Sequence, residues 1–224
     1  MCVRLFIESK EGYVVTFIQD FQKLTVSDEK TDIVERFLQF LYQQMNHNPI
    51  WQASTANQMD DARLSIERYI MSRIYTHAMF PNGDGDIMRD QILHKHIKKL
   101  AHLITPNHKH LQIPKIYQFE CPWIAAQREI YMINTYKTPK DKLKCVHRCS
   151  TIIMNLLSMA NDKSVPAADE FMPVLIFVII KANPACLLST VQYVNSFYGN
   201  RLQGEEHYWW MQFSSVVEYI KTMD

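Results

Sequence analysis

The chain has 224 residues, enough for one large domain or two packed halves, and its 47% hydrophobic fraction is ordinary for a globular protein. Twenty-four Lys and Arg against 23 Asp and Glu leave a net charge of +1, so no global field draws it to nucleic acid or an acidic substrate, and recognition must be local. Five glycines, with no G-x-G-x-x-G and no G-x-x-x-x-G-K run, argue against a nucleotide-binding α/β protein.

The opening "MCVRLFIESKEGYVVTF" carries acidic residues too early for a signal peptide. Within the first twenty-odd residues, "GYVVTFIQDFQKL" fits either a strand or a helix. "TDIVERFLQFLYQQM" has amphipathic helical spacing, with Ile33, Phe37 and Leu41 on one face and Val34, Leu38 and Met45 beside them. Ala62, Ile66, Tyr69, Ile70 and Ile74 repeat the pattern. Met88, Ile92, Leu93, Ile97, Leu100 and Ile104 do so again, and three such helices suggest an N-terminal bundle. Pro106, Pro114 and Pro122 mark an extended surface connector over residues 105–122.

"TPKD" predicts a helix start, with Thr138 as N-cap, Pro139 at the first helical position and Asp141 reaching back. Leu143, Val146, Ile153, Leu156, Leu157 and Met159 then point largely inward. After a break at "SVPAAD" comes the apolar run Phe171 to Ile180. Its ten residues fall far short of the roughly twenty that a bilayer span needs, so it reads as a core helix. Asn183 and Pro184 repeat the cap-plus-proline signature ahead of "ACLLSTVQYVNSFYG", which ends at Gly199. The last helix, from "GEEHYWWMQF", has the acidic first turn that a helix dipole favours. The fold class is all-α: a helical bundle over residues 1–80 and a layered helical core over 81–224, expected to form one continuous unit.

Several patterns carry chemistry only at first glance. Cys145 and Cys149 of "CVHRC" share a helix face, but His147 points elsewhere and no second pair lies nearby, so no metal site is expected. The five cysteines read as reduced thiols of a cytosolic protein. "NGDGDIMRDQIL" starts like a calcium loop but has Ile87 where glycine and Leu93 where glutamate are required; it reads as a turn capping the next helix. "HKHIKKLAHLITPNHKH" packs five histidines and four lysines, and is either a solvated helix face with its loop or a contact for anionic lipid headgroups. No nucleophile motif binds the serines, cysteines and histidines into a triad.

Asp169 opens the apolar run. As an N-cap it would accept from the free N–H groups of the first turn, and Pro173, fourth in the helix, would lack an N–H that needs no partner there. On the last helix, Tyr208, Met211, Gln212 and Ser215 share one face. Trp209, Phe213, Val216 and Tyr219 or Ile220 make a more apolar stripe suited to the core. A helix with a buried stripe and a Tyr/Met/Gln face has a surface left for a partner.

"AADEFMPVLIFVIIKANPACLLSTVQYV" followed by "GEEHYWWMQFSSVVEYIKTM" resembles the catalytic core of the vacuolar protein sorting nine (Vps nine) domain, over roughly residues 80 to 224. "MNHNPIWQ", "DGDIMRDQ" and "YKTPKDK" look closest to endocytic members that join a Ras-GAP-like domain to a Vps nine domain, the Gapex and receptor-mediated-endocytosis type. No GAP domain lies within these residues, so the resemblance implies part of a longer chain. It also implies a guanine nucleotide exchange factor for Rab GTPases of the Rab five class, GDP-bound or nucleotide-free. No cofactor, metal or nucleic acid and no covalent chemistry is implied.

Asp169 matches the family's aspartate finger, which enters the GTPase nucleotide site and competes for the phosphate-binding lysine. Pro173 and Tyr208 match positions that shape the groove for the GTPase switch regions, with Met172, Met211 and Gln212 counted in the same surface. Met211 stands where the family often has threonine. The implied location is cytoplasmic and peripheral at endocytic vesicles and early endosomes, with membrane association through regions outside this segment. The rival reading is a helical adaptor that binds a partner without exchange activity.

Overall fold

A computed structural model describes residues 2–120, 122–161 and 166–224, all of whose regular elements are helical. Cys121 and the Ser164–Val165 part of the expected break lie outside the described residues. The chain divides into two compact units, Met1–Pro81 and Asn82–Asp224.

The first unit holds α1 (Cys2–Glu8), α2 (Glu11–Lys23), α3 (Ser27–Asn46) and α4 (Ala56–Met79). The ambiguous N-terminal stretch is therefore helix, with Val14, Phe17 and Phe21 buried along α2 at i, i+3 and i+7. Thr55 and Gln58 form a reciprocal capping box at the start of α4: Thr55 N–H donates to the side-chain Oε1 of Gln58 at 3.0 Å and Gln58 N–H to Thr55 Oγ1 at 3.3 Å. Ile66, Ile70 and Ile74 then run buried down its inner side.

The second unit begins with α5 (Asp84–Leu103) and continues through α6 (Ile124–Tyr131), α7 (Pro139–Ala160), α8 (Ala168–Ala182), α9 (Leu187–Tyr198) and α10 (Gly204–Thr222). The third helix expected in the N-terminal bundle is thus α5, which packs in the second unit against α8, α9 and α10. Its buried stripe is also turned from the expected one. Asp86 and Asp90 are buried ahead of Leu93, Ile97 and Leu100, while Met88 and Ile92 face solvent.

The two carboxylates repay their burial by capping. Asp86 accepts from the backbone N–H and the side-chain amide of Asn82, at 2.9 and 3.2 Å, and from Arg89 at 3.1 Å. Asp90 Oδ1 accepts from the N–H groups of Leu188 and Ser189, at 2.9 and 3.2 Å, and so serves the free N-terminal donors of α9 from another helix. Asp90→Ala strands those donors in a buried setting. A loss of about 2–3 kcal/mol in urea titration is expected; an unchanged midpoint would mean that water replaces the carboxylate.

The connector over residues 105–122 is not a simple extended surface strand. Leu111, Ile113 and Tyr117 are buried, and Lys115–Glu120 forms a 3-10 segment. Thr138 caps α7 as expected, its Oγ1 accepting from Asp141 N–H at 3.0 Å with Pro139 at the first helical position. Leu143, Val146, Ile153 and Leu157 are buried, but Met159 lies 72% exposed at the outer edge of the last turn. Asn183 does not start α9. It ends α8 in the left-handed conformation, φ 42°, a C-cap that asparagine tolerates, and α9 begins only at Leu187.

At the centre of the second unit lies α8, packed on α5, α6, α7 and α10. Val174 through Ile180 are all buried, as befits a helix that is apolar all round. Each such side chain contributes about 1.5–3 kcal/mol relative to exposure, which fixes the helix and hence the direction in which its N-terminus points. No single helix among the described residues is long and apolar enough to cross a membrane.

Candidate functional site

Two neighbouring carboxylates open α8, and they are used differently. The N-cap is Ala167, two residues earlier than the Asp169 cap expected from the sequence. Alanine has no side-chain acceptor, so the cap comes from the third helical position: Glu170 Oε2 accepts from Ala167 N–H at 2.7 Å. Its other oxygen accepts from the Tyr117 hydroxyl at 2.9 Å, and that hydroxyl accepts from the Asn161 side-chain amide at 3.3 Å. Tyr117 is fully buried, and burial followed by the Glu170 carboxylate pushes its phenol above the usual range. Glu170 is thereby committed to structure.

Asp169 is then the second helical residue, exposed, with no side-chain partner among the described residues. Pro173 stands six residues into α8, not four. Having no N–H, it cannot donate to the carbonyl of Asp169 four residues back, so the residue at the helix mouth is released from one backbone constraint as well. Met172 and Pro173 are half-buried beside it.

The facing surface comes from α10, which starts at Gly204 with φ 56°, a left-handed conformation that suits glycine. The buried stripe of α10 is Trp210, Phe213, Val216, Val217 and Ile220. Trp209, expected in the core, is only half-buried; the adjacent Trp210 takes the inward position, its indole N–H donating to Asn195 at 2.8 Å. Trp209 instead bridges the two helices. Its ring lies 5.1 Å from the buried Phe171 of α8 and 4.9 Å, edge-on, from Tyr208.

The Trp209 indole N–H donates to Glu205 at 3.1 Å, and His147 of α7 reaches the same carboxylate at 3.3 Å. Those two partners, the indole first, hold the Glu205 carboxyl below its usual range. The chain Phe171–Trp209–Tyr208 thus joins the mouth of α8 to the exposed face of α10. Tyr208 is 44% and Met211 48% exposed there, with Gln212 half-buried beside them.

The structure therefore links Phe171, which follows Asp169 by two residues and precedes Met172 and Pro173, to Tyr208 through Trp209, and Met211 and Gln212 lie about one turn further along α10. Trp209 and Glu170 are the members that sequence reasoning missed. The Glu170 signal was present as an acidic residue three places after the cap; nothing local distinguishes Trp209 from Trp210. Cys145 and Cys149 are wholly buried, their thiols hydrogen-bonded to the carbonyls of Glu129 and Ala126. Burial pushes the Cys145 thiol up to about 12, and that of Cys149 also rises, so neither is a thiolate near neutral pH.

Residues 123–224 match the vacuolar sorting protein 9 (VPS9) domain, and residues 13–75 match a domain of unknown function, DUF5601. The whole chain is 59% identical to GTPase-activating protein and VPS9 domain-containing protein 1 of Homo sapiens, of which it spans 15%. Over 211 residues, 94% of the chain, it is 41% identical to receptor-mediated endocytosis protein 6 of Caenorhabditis elegans, of which it covers 19%. It is 31% identical over 225 residues, 98% of its length, to vacuolar protein sorting-associated protein 9A of Arabidopsis thaliana, covering 42% of that protein. The chain thus spans less than a fifth of the first two of these relatives.

Proposed function

We propose, from the match of residues 123–224 to the VPS9 domain, that this chain is a guanine nucleotide exchange factor for endosomal Rab GTPases of the Rab five class. It acts in endocytosis and early endosome trafficking, peripheral to the membrane. Residues 81–224 form the exchange core, with the bundle of residues 1–80 ahead of it.

The observation that carries this reading is the division of labour at the mouth of α8. Glu170 and Tyr117 hold the helix start, so Asp169 can leave it without cost to the cap. A carboxylate free to move beside a nucleotide's phosphates competes for the cationic groups that hold them and disfavours the β-phosphate and its magnesium. At the effective dielectric of a partly buried site, such a charge at about 4 Å is worth roughly 4 kcal/mol. Met172, Pro173, Tyr208, Met211 and Gln212 supply the half-apolar surface on which the GTPase switch regions dock. The work done is differential binding: the nucleotide-free GTPase is held more tightly than the GDP-bound form, and GDP leaves faster.

The test is release of fluorescent GDP from a panel of Rab GTPases, with the wild-type chain beside Tyr208→Ala. Acceleration of a Rab five class GTPase, reduced about tenfold or more by the substitution at unchanged helical signal, is the expected result. If the protein binds a Rab yet accelerates none, it is an adaptor.

A further inference from the structure

The solvent face of α5 carries chemistry that nucleotide exchange does not use. Met88, Ile92, Lys95, Lys99, His102 and Leu103 fall within an arc of about 100° on that helix. Ile92 and Leu103 are each 65% exposed and Met88 62%; among the large apolar side chains of the described residues only Met159 is barer. From Gln91 to Phe119 the chain has five lysines, five histidines and no acidic residue, although the protein as a whole is nearly neutral. Asp84, in the first turn of α5, is the carboxylate at the edge of this face.

Beside the face lies a groove of about 540 Å³ lined by Met88, Arg89, Ile92, His96, Leu188 and Lys221. Arg89 and Lys221 are each already paired with a carboxylate, Asp86 and Glu218 respectively. Among the described residues Lys95 and Lys99 have no carboxylate partner, so the positive charge of this face sits on them, between the bare aliphatic side chains.

We propose that this face of α5 docks the protein directly onto an anionic lipid bilayer, with Met88, Ile92 and Leu103 entering the headgroup boundary and Lys95 and Lys99 meeting the lipid phosphates. Lysine is depleted from protein–protein interfaces, where Tyr, Trp and Arg anchor the contact. Lysines interleaved with single aliphatic side chains along one helix are what a membrane surface selects. The placement also suits the exchange site. Lys221 at the groove and Tyr208 at the site stand 13 residues apart on α10, roughly 20 Å along one helix. The bilayer contact is independent of exchange activity and needs no GTPase to be read.

The test is co-sedimentation of the 224-residue chain with phosphatidylcholine vesicles, with and without phosphatidylserine. Binding is expected only where phosphatidylserine is present, and it weakens as salt rises. Lys95→Gln with Lys99→Gln lowers it about thirtyfold, about fivefold per lysine. Met88→Ser with Ile92→Ser lowers it without changing net charge. Both pairs retain helical signal and solution-phase exchange, because they lie outside the Asp169–Tyr208 surface.

Absence of wild-type binding to the anionic vesicles overturns the proposal, as does equal binding by either variant pair. Sedimentation showing that the face joins two copies of the chain in solution overturns it as well.

Discussion

Asp169→Asn is expected to slow GDP release about a hundredfold while leaving the fold intact. Asparagine keeps the size of the side chain while removing its charge and exchanging one acceptor oxygen for an NH2 donor. The structure makes this substitution clean, because Asp169 is exposed and its side chain has no partner among the described residues. The cap belongs to Glu170, and the aromatic bridge belongs to Phe171 and Trp209. The stability cost is confined to the helix dipole, which favours a negative charge in the first turn by under about 1 kcal/mol.

Glu170→Ala is the informative contrast. It removes the acceptor of both the Ala167 N–H and the buried Tyr117 hydroxyl, so its damage appears first in thermal stability and only then in exchange. Stopped-flow release of fluorescent GDP, run beside thermal melts of both variants, separates the two roles. Should Asp169→Asn exchange at the wild-type rate, the charge at the helix mouth is not the working group, and docking through Tyr208 and its neighbours must account for any activity.

That the sequence points to Asp169 but misplaces the cap is a matter of range. The apolar run of α8 is legible because every turn of it is buried, so no error of phase can hide it. The register of its first turn is decided by Tyr117, which lies 53 residues upstream of Glu170. Distance in sequence defeats the reading of α9 in the same way, since its N-terminal donors are served by Asp90 from 98 residues away. Asp90 is also why the stripe on α5 was misjudged. Carboxylates at Asp86 and Asp90 look like solvent positions, but both are buried as caps, which rotates Met88 and Ile92 outward.

Trp209 and Trp210 are the sharpest case. Adjacent residues on a helix point about 100° apart, and which of two tryptophans faces the core is settled by Asn195 of α9, which accepts the indole N–H of Trp210. Tyr208, Met211 and Gln212 were legible because they need only the period of their own helix.

Lys142→Met is expected to flatten the pH dependence of stability between about pH 7 and pH 10. Lys142 is wholly buried in α7, with its ammonium group donating to the Ile133 carbonyl at 3.0 Å. Burial first, and the positive charge of Lys137 second, lower its pKa to about 7. In the unfolded chain the same lysine titrates near its ordinary 10.5.

Between those two values the unfolded chain holds a proton that the folded chain has released, so acidification favours unfolding across that window. The contribution of Lys142 to stability is complete above the unfolded value, is lost as pH falls toward about 7, and changes no further below it. Each pH unit inside the window is worth up to about 1.4 kcal/mol, so roughly 3 kcal/mol separates pH 10 from pH 7.

Methionine fills nearly the same volume and carries no charge. It leaves the Ile133 carbonyl without its lysine donor at a cost of about 1–3 kcal/mol, independent of pH over this window. The variant should therefore be less stable than wild type at pH 10 and should close the gap, or reverse it, by pH 7. Urea titrations of both proteins at pH 7, 8.5 and 10 measure the difference directly. Parallel curves would mean that Lys142 stays protonated in the folded state throughout, with the Ile133 carbonyl and its neighbours solvating the charge well enough to offset its burial.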